Sequence, residues 1–253
     1  MLKNNQKFWA FARDSAGKAS LTLYGELSDT TWWGDEVTPA AFAADLQAIG
    51  EDTPLTVYIN SPGGDVFAGI TIYNLLKRHK GSVTTHIDGL AASAASIVAM
   101  AGDKIVMPEA ALMMIHRAWT VEAGNAAALR AMAEELERVD GQLAGIYGAR
   151  TGKPAEEALA LMEAETWMTG QEALEAGFCD ELEPNKQLAA LCGGEILARY
   201  QRAPAALFKQ PIDGGESQPV EDTLPQAGDK LAAQKRRFSL RKKIMEENGH
   251  DHL

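Results

Sequence analysis

Residues 55–65 read Leu-Thr-Val-Tyr-Ile-Asn-Ser-Pro-Gly-Gly-Asp, an apolar run that leads directly into a turn with two successive glycines. Its β-branched and aromatic residues predict a strand, and the Asn-Ser-Pro-Gly-Gly segment predicts where that strand ends. Helical spacing of apolar residues begins at Ala68 and continues to Lys80. The stretch therefore predicts a strand, a tight turn and a helix in immediate succession.

Similar units precede and follow this one along the chain. Further strands are predicted over residues 19–27, 83–87, 104–107, 111–115 and 178–182, and further helices over 39–49, 89–100, 125–147, 154–163 and 170–176. Alternation of strands and helices predicts an α/β fold with a mostly parallel sheet covered by helices. The helix over residues 125–147 is long and rich in alanine and glutamate.

The glycine pair of the opening stretch is the first candidate for chemistry. Gly63 and Gly64 can adopt backbone conformations closed to other residues and can turn their N–H groups towards a ligand. Such groups suit an oxyanion hole, where fixed donors stabilise charge that develops on a carbonyl oxygen. A tight turn without any function explains the same two residues equally simply.

A serine within an alanine-rich stretch is the second candidate. Residues 89–96 read Gly-Leu-Ala-Ala-Ser-Ala-Ala-Ser, which places Ser93 in the first turn of a predicted helix. Free N–H groups and the positive end of the helix dipole favour a nucleophile that generates an oxyanion there. A helix-capping serine is the alternative. The Gly-x-Ser-x-Gly pattern of α/β-hydrolases is absent around this residue.

A histidine at the end of a predicted strand is the third candidate. His116 follows the apolar residues 112–115, and a side chain at a strand end lies at the rim of the sheet, where ligands bind. An imidazole titrates near neutral pH and can accept and return a proton. A structural histidine is the alternative at this position.

Composition limits the class of protein. The 253 residues carry a formal net charge of −11, which argues against nucleic-acid binding by the folded part. Two cysteines, Cys179 and Cys192, have no metal-ligand spacing, so neither a metal nor another cofactor is expected. A secretory signal and a bilayer-length apolar stretch are both absent from the sequence. These features predict a soluble, cytoplasmic protein without membrane partners.

A change in composition near residue 200 predicts three regions. Residues 1–198 are expected to fold as one domain, residues 199–229 have the proline, glycine and polar composition of a flexible linker, and residues 230–253 form a basic tail. The tail offers the one basic surface that could contact nucleic acid or an acidic partner, although a solvated charged end is the simpler interpretation.

Taken in chain order, these motifs resemble the proteolytic subunit of Clp protease. The matching stretches are residues 58–64, 89–93, 114–116 and 172–180, and the resemblance extends from about Leu21 to Leu182. It implies the Clp protease/crotonase-like fold, with residues 125–147 as a protruding handle helix through which subunit rings dock. It also implies a serine endopeptidase that works as a homo-oligomeric ring or double ring.

The resemblance assigns roles to individual residues. It implies Ser93 as nucleophile, His116 as general base, and the backbone N–H groups of Gly64 and Ala94 as the oxyanion hole. Substrate contacts are expected at the three positions Gly63, Asp65 and Val66. The family's third catalytic residue is an aspartate, and Glu165 stands at the matching position here, with Glu163 as the fallback. The glycine pair that follows the family's histidine is replaced by residues 117–120, Arg-Ala-Trp-Thr.

Several features resemble the Clp-related head maturation proteases of tailed phages more than a housekeeping subunit. They are the Trp-Trp-Gly-Asp stretch at residues 32–35, the Glu-Thr-Trp-Met segment at 165–168 and the long C-terminal extension. This implies ATP-independent cleavage of capsid or scaffold proteins, with portal or capsid partners, in the host cytoplasm or inside phage proheads. The alternatives are a housekeeping subunit that works with an ATP-dependent unfoldase, a crotonase-like acyl-CoA enzyme, and an inactive assembly protein.

Overall fold

The computed structural model describes residues 11–13, 18–28, 39–184 and 200–204. All of them belong to the first of two compact units, Met1–Gln210. The strands are β1 (Phe11–Arg13), β2 (Ala19–Tyr24), β3 (Leu55–Ser61), β4 (Val83–Ala92), β5 (Lys104–Pro108), β6 (Leu112–Ile115), β7 (Thr166–Thr169) and β8 (Glu181–Glu183). The helices are α1 (Pro39–Ile49), α2 (Val66–Arg78), α3 (Ala94–Ala99), α4 (Ala126–Thr151), α5 (Ala155–Glu163) and α6 (Gly170–Ala176).

One mostly parallel sheet organises these elements, as the alternation of strands and helices predicts. Its main order is β1-β2-β3-β4-β5-β8, and each neighbouring pair is parallel except β1 with β2. Strand β4 divides the sheet, because residues 84–86 pair with β5 while residues 90–92 pair with β6. Strand β7 then pairs antiparallel with β6. The mixed α/β fold of Clp protease is therefore confirmed.

The main hydrophobic core lies between the sheet and its helices. Side chains that alternate along β2, β3 and β4 are buried, and α2, α3 and α4 cover them. A second, smaller cluster is formed by Leu90, Ala92, Met114 and Tyr200. Burial of apolar surface on both sides of β4 and β6 fixes these two strands, whose ends position the candidate site.

The structure corrects several predicted boundaries. The predicted helix over residues 89–100 is wrong in its first half, since β4 continues to Ala92 and only residues 94–99 are helical. The last predicted strand is shifted to Glu181–Glu183, and strands β1 and β7 were not predicted. The helix over residues 125–147 begins after Asn125 as its N-cap and continues to Thr151, beyond the predicted end at residue 147.

The start of α6 and the segment after residue 198 show two further local features. A capping box of Thr169 and Glu172 begins α6. Residues 200–204 of the predicted linker pack against the folded body through the buried side chain of Tyr200. The rest of residues 199–253, including the basic tail, and the tryptophan pair at residues 32–33 lie outside the described residues, so the predicted domain limits stay a prediction.

Candidate active site

The backbone at Ser93 makes a sharp turn between a strand and a helix. Its φ and ψ are 55° and −128°, values that a residue with a side chain adopts only where its surroundings impose them. Its N–H donates to the carbonyl of Met114 at 2.9 Å, which extends the pairing of β4 with β6 by one residue. Its side chain makes no capping hydrogen bond to α3, so the interpretation of Ser93 as a helix cap loses its support.

His116 lies immediately after β6 and faces this serine. Its Nε2 is 2.7 Å from Oγ of Ser93, a hydrogen-bonding distance. The two strands that carry these residues are paired, so the short distance follows from the register of Ala92 with Met114. Both side chains are partly exposed and open to a substrate.

The glycine turn lies against the same serine. The φ angles of Gly63 and Gly64 are 89° and 145°, conformations that side-chain-bearing residues rarely adopt. A Cβ atom on Gly63 would lie 2.6 Å from Cβ of Ser93 and 3.0 Å from the amide nitrogen of Ala94. The turn thus approaches the nucleophile candidate more closely than any other residue type would allow.

Backbone pairing orients the amide group of Gly64. Leu27 donates its N–H to the carbonyl of Gly63 at 2.8 Å and accepts the N–H of Asp65 at 2.9 Å. In a parallel bridge of this kind the N–H of Gly64, the residue in between, points away from Leu27. The Ala94 N–H lies at the first position of α3, where no intrahelical acceptor is available.

Asp65 and Val66 continue the turn into α2. The carboxylate of Asp65 accepts the N–H of Ala68 at 2.7 Å and caps this helix, while Val66 is the first helical residue. The Asp65 side chain therefore has a structural role that the sequence analysis did not assign to it. The expectation that Asp65 and Val66 contact substrate stays a prediction, as does that for Gly63.

Glu165 lies in the turn that joins α5 to β7. Its φ is 47°, which is unfavourable for a glutamate and marks a locally constrained backbone. Its carboxylate accepts the N–H groups of Gln201 at 2.9 Å and Arg202 at 2.5 Å, and the indole N–H of Trp167 at 3.3 Å. Three donors fix the position of this carboxylate.

Glu163, the fallback for the third residue, is placed differently. Its carboxylate is 2.5 Å from Nε of Arg117, and its side chain is 65% exposed. This ion pair connects the end of α5 to the segment that follows His116. Solvent screening makes such an exposed pair weak.

The sequence analysis missed two buried side chains of α4 that support the site. Asp140 accepts the N–H of Ala118 at 2.8 Å and thereby anchors the chain just after His116. Burial raises the pKa of this carboxyl above its usual value, although the Ala118 N–H and Arg117 act in the opposite direction.

The hydroxyl of Tyr147 is 2.8 Å from that of Ser96, which donates to the carbonyl of Ser93 at 2.6 Å. The only indication in the sequence that Asp140 and Tyr147 support the site is their position on the inward side of the predicted helix.

Neither a metal site nor a membrane span emerges from the described residues. Among them, no group of three or more histidine, cysteine, aspartate or glutamate side chains is arranged to hold a metal ion. None of the helices that the structure describes combines the length and the apolar character needed to cross a bilayer.

A serine hydroxyl bound to an imidazole, beside a backbone N–H without an intrahelical acceptor at a helix start, is the arrangement of a serine hydrolase. Comparison with known proteins gives the same class. The family model described as Clp protease matches residues 35–186. The ATP-dependent Clp protease proteolytic subunit of Porphyromonas gingivalis is 35% identical over 160 residues, which cover 60% of this chain and 72% of that protein. The ATP-dependent Clp protease proteolytic subunit 2 of Nocardia farcinica is 36% identical over 152 residues, covering 59% and 74%.

The chain is therefore a serine-type peptidase, and it belongs to the Clp protease family. The resemblance seen in the sequence motifs is confirmed at the level of the family. Family membership also removes the support for the crotonase-like and inactive alternatives, because the members are peptidases.

Proposed function

We propose that Ser93 and His116 are the nucleophile and general base of this peptidase. The observation that carries the proposal is the 2.7 Å distance between Nε2 of His116 and Oγ of Ser93. Oγ attacks the carbonyl carbon of the scissile peptide bond while its proton passes to Nε2. The imidazolium then gives that proton to the departing amine, and water hydrolyses the ester left on Ser93.

The backbone N–H groups of Gly64 and Ala94 are proposed to stabilise the tetrahedral intermediate. Gly63 packs against both Ser93 and the Ala94 amide, so the glycine turn and the start of α3 converge beside the nucleophile. The pairing with Leu27 leaves the Gly64 N–H directed away from Leu27. Rigid donors of this type lower the barrier because they need no reorganisation when charge develops.

Glu165 is proposed as the third member, which orients the imidazole and stabilises its protonated form. The N–H groups of Gln201 and Arg202 that bind its carboxylate restrict its movement. Glu163 instead pairs with Arg117 at the surface. The two glutamates are thus distinguished by their surroundings, although sequence position left both open.

Matched substitutions test this choice. We expect Glu165→Gln to lower kcat by about a hundredfold or more, since an amide cannot stabilise the imidazolium in the same way. Glu163→Gln should leave kcat within about twofold, because it removes only an exposed ion pair. Steady-state cleavage of a fluorogenic peptide measures both, and the reverse pattern would transfer the role to Glu163.

The biological setting we propose is phage head maturation, that is, ATP-independent cleavage of capsid or scaffold proteins by a ring of subunits. Support comes from the replacement of the glycine pair after His116 by residues 117–120. Arg117 and Ala118 are held to α4 and the end of α5 by Asp140 and Glu163, and the ion pairs of the Arg117 side chain are contacts that a glycine could not make. The C-terminal extension and the glutamate at position 165 also support this setting.

A housekeeping role is the second candidate, and the similar proteins favour it. The relatives from Porphyromonas gingivalis and Nocardia farcinica are ATP-dependent Clp protease proteolytic subunits. In that role, the chain would degrade proteins delivered by an ATP-dependent unfoldase. The acidic composition and the pairing of Ser93 with His116 are compatible with both settings.

Dependence on ATP separates the two settings. The full-length protein is incubated with a purified phage scaffold protein, and separately with a folded reporter plus a Clp unfoldase, each with and without ATP. Head maturation predicts specific scaffold fragments without ATP, detected by mass spectrometry, and no ATP-dependent loss of the reporter. Degradation of the reporter that requires unfoldase and ATP, with an intact scaffold, would establish the housekeeping role instead.

A further inference from the structure

A short segment beyond the family match lies against the candidate site. We call residues 200–204 the C-terminal strap; the family model ends at residue 186. Tyr200 of the strap is only 6% exposed and packs on Leu90, Ala92 and Met114, the other members of the second, smaller hydrophobic cluster. Leu90 and Ala92 belong to β4, which leads to Ser93, and Met114 belongs to β6, which leads to His116.

Tyr200 contacts the proposed base and the glycine turn together. Its ring meets the imidazole of His116 edge to face, with centroids 5.3 Å apart and planes at 83°. Its hydroxyl donates to the carbonyl of Pro62, the residue before Gly63. The ring of Trp167 supports it from a further side, with a centroid distance of 6.0 Å. A tyrosine with a buried ring and a bonded hydroxyl has little rotational freedom, so it restricts the imidazole that it touches.

The next two residues of the strap hold the proposed third member. The N–H groups of Gln201 and Arg202 both donate to the carboxylate of Glu165, at 2.9 and 2.5 Å. Arg202 also donates from its guanidinium to the carbonyl of Ala164 at 2.7 Å. The strap thereby contacts His116 through a side chain and Glu165 through the backbone.

We propose that the C-terminal strap is a working part of the active site and that Tyr200 is a positioning residue for His116. This inference rests on the catalytic roles proposed above. An inhibitory plug would have to cover the nucleophile, whereas Ser93 and His116 stay partly exposed with the strap in place. Catalytic geometry is sensitive to displacements of about 1 Å, so a restraint on imidazole and carboxylate has a direct effect on rate.

Substitution of Tyr200 in the full chain tests the positioning role. Tyr200→Ala removes the ring contact with His116, and we expect kcat for a fluorogenic peptide to fall about tenfold with KM changed less than about twofold. Tyr200→Phe keeps the ring and loses only the hydroxyl, so it should restore kcat to within about threefold of wild type. The melting temperature is measured for each variant alongside the kinetics.

The backbone contacts are tested by a proline–alanine pair. Gln201→Pro removes the N–H that donates to Glu165, while Gln201→Ala keeps it and changes only the side chain. We expect kcat of Gln201→Pro to be several-fold lower than kcat of Gln201→Ala. Combined with Glu165→Gln, the proline substitution should have little further effect, because both act on the same interaction.

Three results would overturn the inference. Tyr200→Ala with a higher kcat/KM would show that the strap blocks the site. Tyr200→Ala with a lower melting temperature and an unchanged kcat would show that the strap only stabilises the fold. Equal kcat losses in Tyr200→Ala and Tyr200→Phe would exclude the ring as the restraint. Labelling of wild-type Ser93 by a fluorophosphonate shows which proposal has failed. If Ser93 is labelled, the proposed function stands and only the inference about the strap is overturned; if Ser93 stays unlabelled, the proposed function itself has failed.

Discussion

Gly63 is the residue at which local backbone geometry and the proposed chemistry are most tightly connected. Its φ of 89° favours glycine, and the space a side chain would need is already filled. A Cβ atom there would lie 2.5 Å from the carbonyl oxygen of Ala92 and 2.6 Å from Cβ of Ser93. A glycine here lets the turn lie directly on the strained backbone at Ser93.

Gly63→Ala is expected to abolish activity. The added methyl group must displace the Ser93 turn or the glycine turn itself, and either movement separates the nucleophile from its oxyanion donors. We predict a loss in kcat/KM of about a hundredfold or more in peptide cleavage. Gly145→Ala is the matched control, because its Cβ meets nothing within 4 Å, and it should retain activity. Full activity in Gly63→Ala would contradict the assignment of this turn.

Ser93 and His116 could be proposed as a catalytic pair from the sequence, because they occur with the glycine turn in the motif order of the family. The side chains that contact them could not be proposed in this way. Tyr200 stands at the start of residues 199–229, whose proline and glycine content predicts a linker. Its burial depends on the position of the ends of β4 and β6 in the folded protein, and the sequence around Tyr200 does not indicate that position.

Strand β4 is the element that builds the site, because it pairs with two different strands along its length. Residues 84–86 pair with β5, and residues 90–92 pair with β6, which carries His116 at its end. Sequence reasoning ended this strand at residue 87 and began a helix at residue 89. Alanine has a high intrinsic helix propensity, and only the pairing with β6 makes residues 89–92 extended. Tertiary context overrides local preference there.

The middle of β4 also carries a titratable cluster. His86 lies 2.7 Å from the carboxylate of Asp88 and 3.2 Å from that of Glu183 on β8, and Tyr24 donates to the other oxygen of Asp88. The hydrogen bond to Asp88 raises the pKa of His86 above its ordinary value, burial opposes this, and Glu183 adds to the rise. The protonated imidazole therefore stabilises the folded state.

The stability of the protein should depend on the charge of His86. Because the folded-state pKa is raised, the stabilisation is fully present below the unfolded pKa of about 6.5 and is lost as pH rises through the folded value. We expect the difference in unfolding free energy between wild type and His86→Gln to be larger near pH 6 than near pH 8. Chemical denaturation at both pH values measures it, and a difference that grows with pH would contradict this account.

At the scale of the whole molecule, α4 offers a surface that a single subunit does not cover. Most of this 26-residue helix is exposed, and Leu129, near its start, is 45% exposed. Trp119 and Val121, on the segment before the helix, are also large exposed hydrophobic residues. These exposed apolar side chains are where we expect the subunit contact that the resemblance implies for the handle helix.

Leu129→Asp should weaken the assembly of subunits. A charge in an apolar contact cannot be buried without a partner, so we expect the variant to elute as a smaller species in size-exclusion chromatography with light scattering. The helix itself should persist, since the side chain is exposed in the single subunit, and the circular dichroism spectrum should match that of wild type. An unchanged oligomer would show that this part of α4 lies outside the contact.

For the whole molecule, the peptidase family and the overall architecture were predictable from the sequence, because four motifs occur in the order typical of the family. The place of residues 200–204 was not, since the packing of Tyr200 against β4 and β6 depends on contacts with residues that are distant in the sequence. Asp140 was missed for a similar reason: its carboxylate lies on the buried side of α4, and its acceptor role follows from the path of the chain after His116.

The most direct test of the account is active-site labelling followed by peptide mapping. A fluorophosphonate reacts with an activated serine and leaves a covalent adduct of defined mass. We predict a single adduct on Ser93 in the wild-type protein, loss of the adduct in Ser93→Ala, and full labelling of Ser82→Ala, in which an exposed serine elsewhere is replaced. A correctly folded wild-type protein that stays unlabelled, or an adduct that persists in Ser93→Ala, would contradict the assignment of Ser93 and His116 as the catalytic pair.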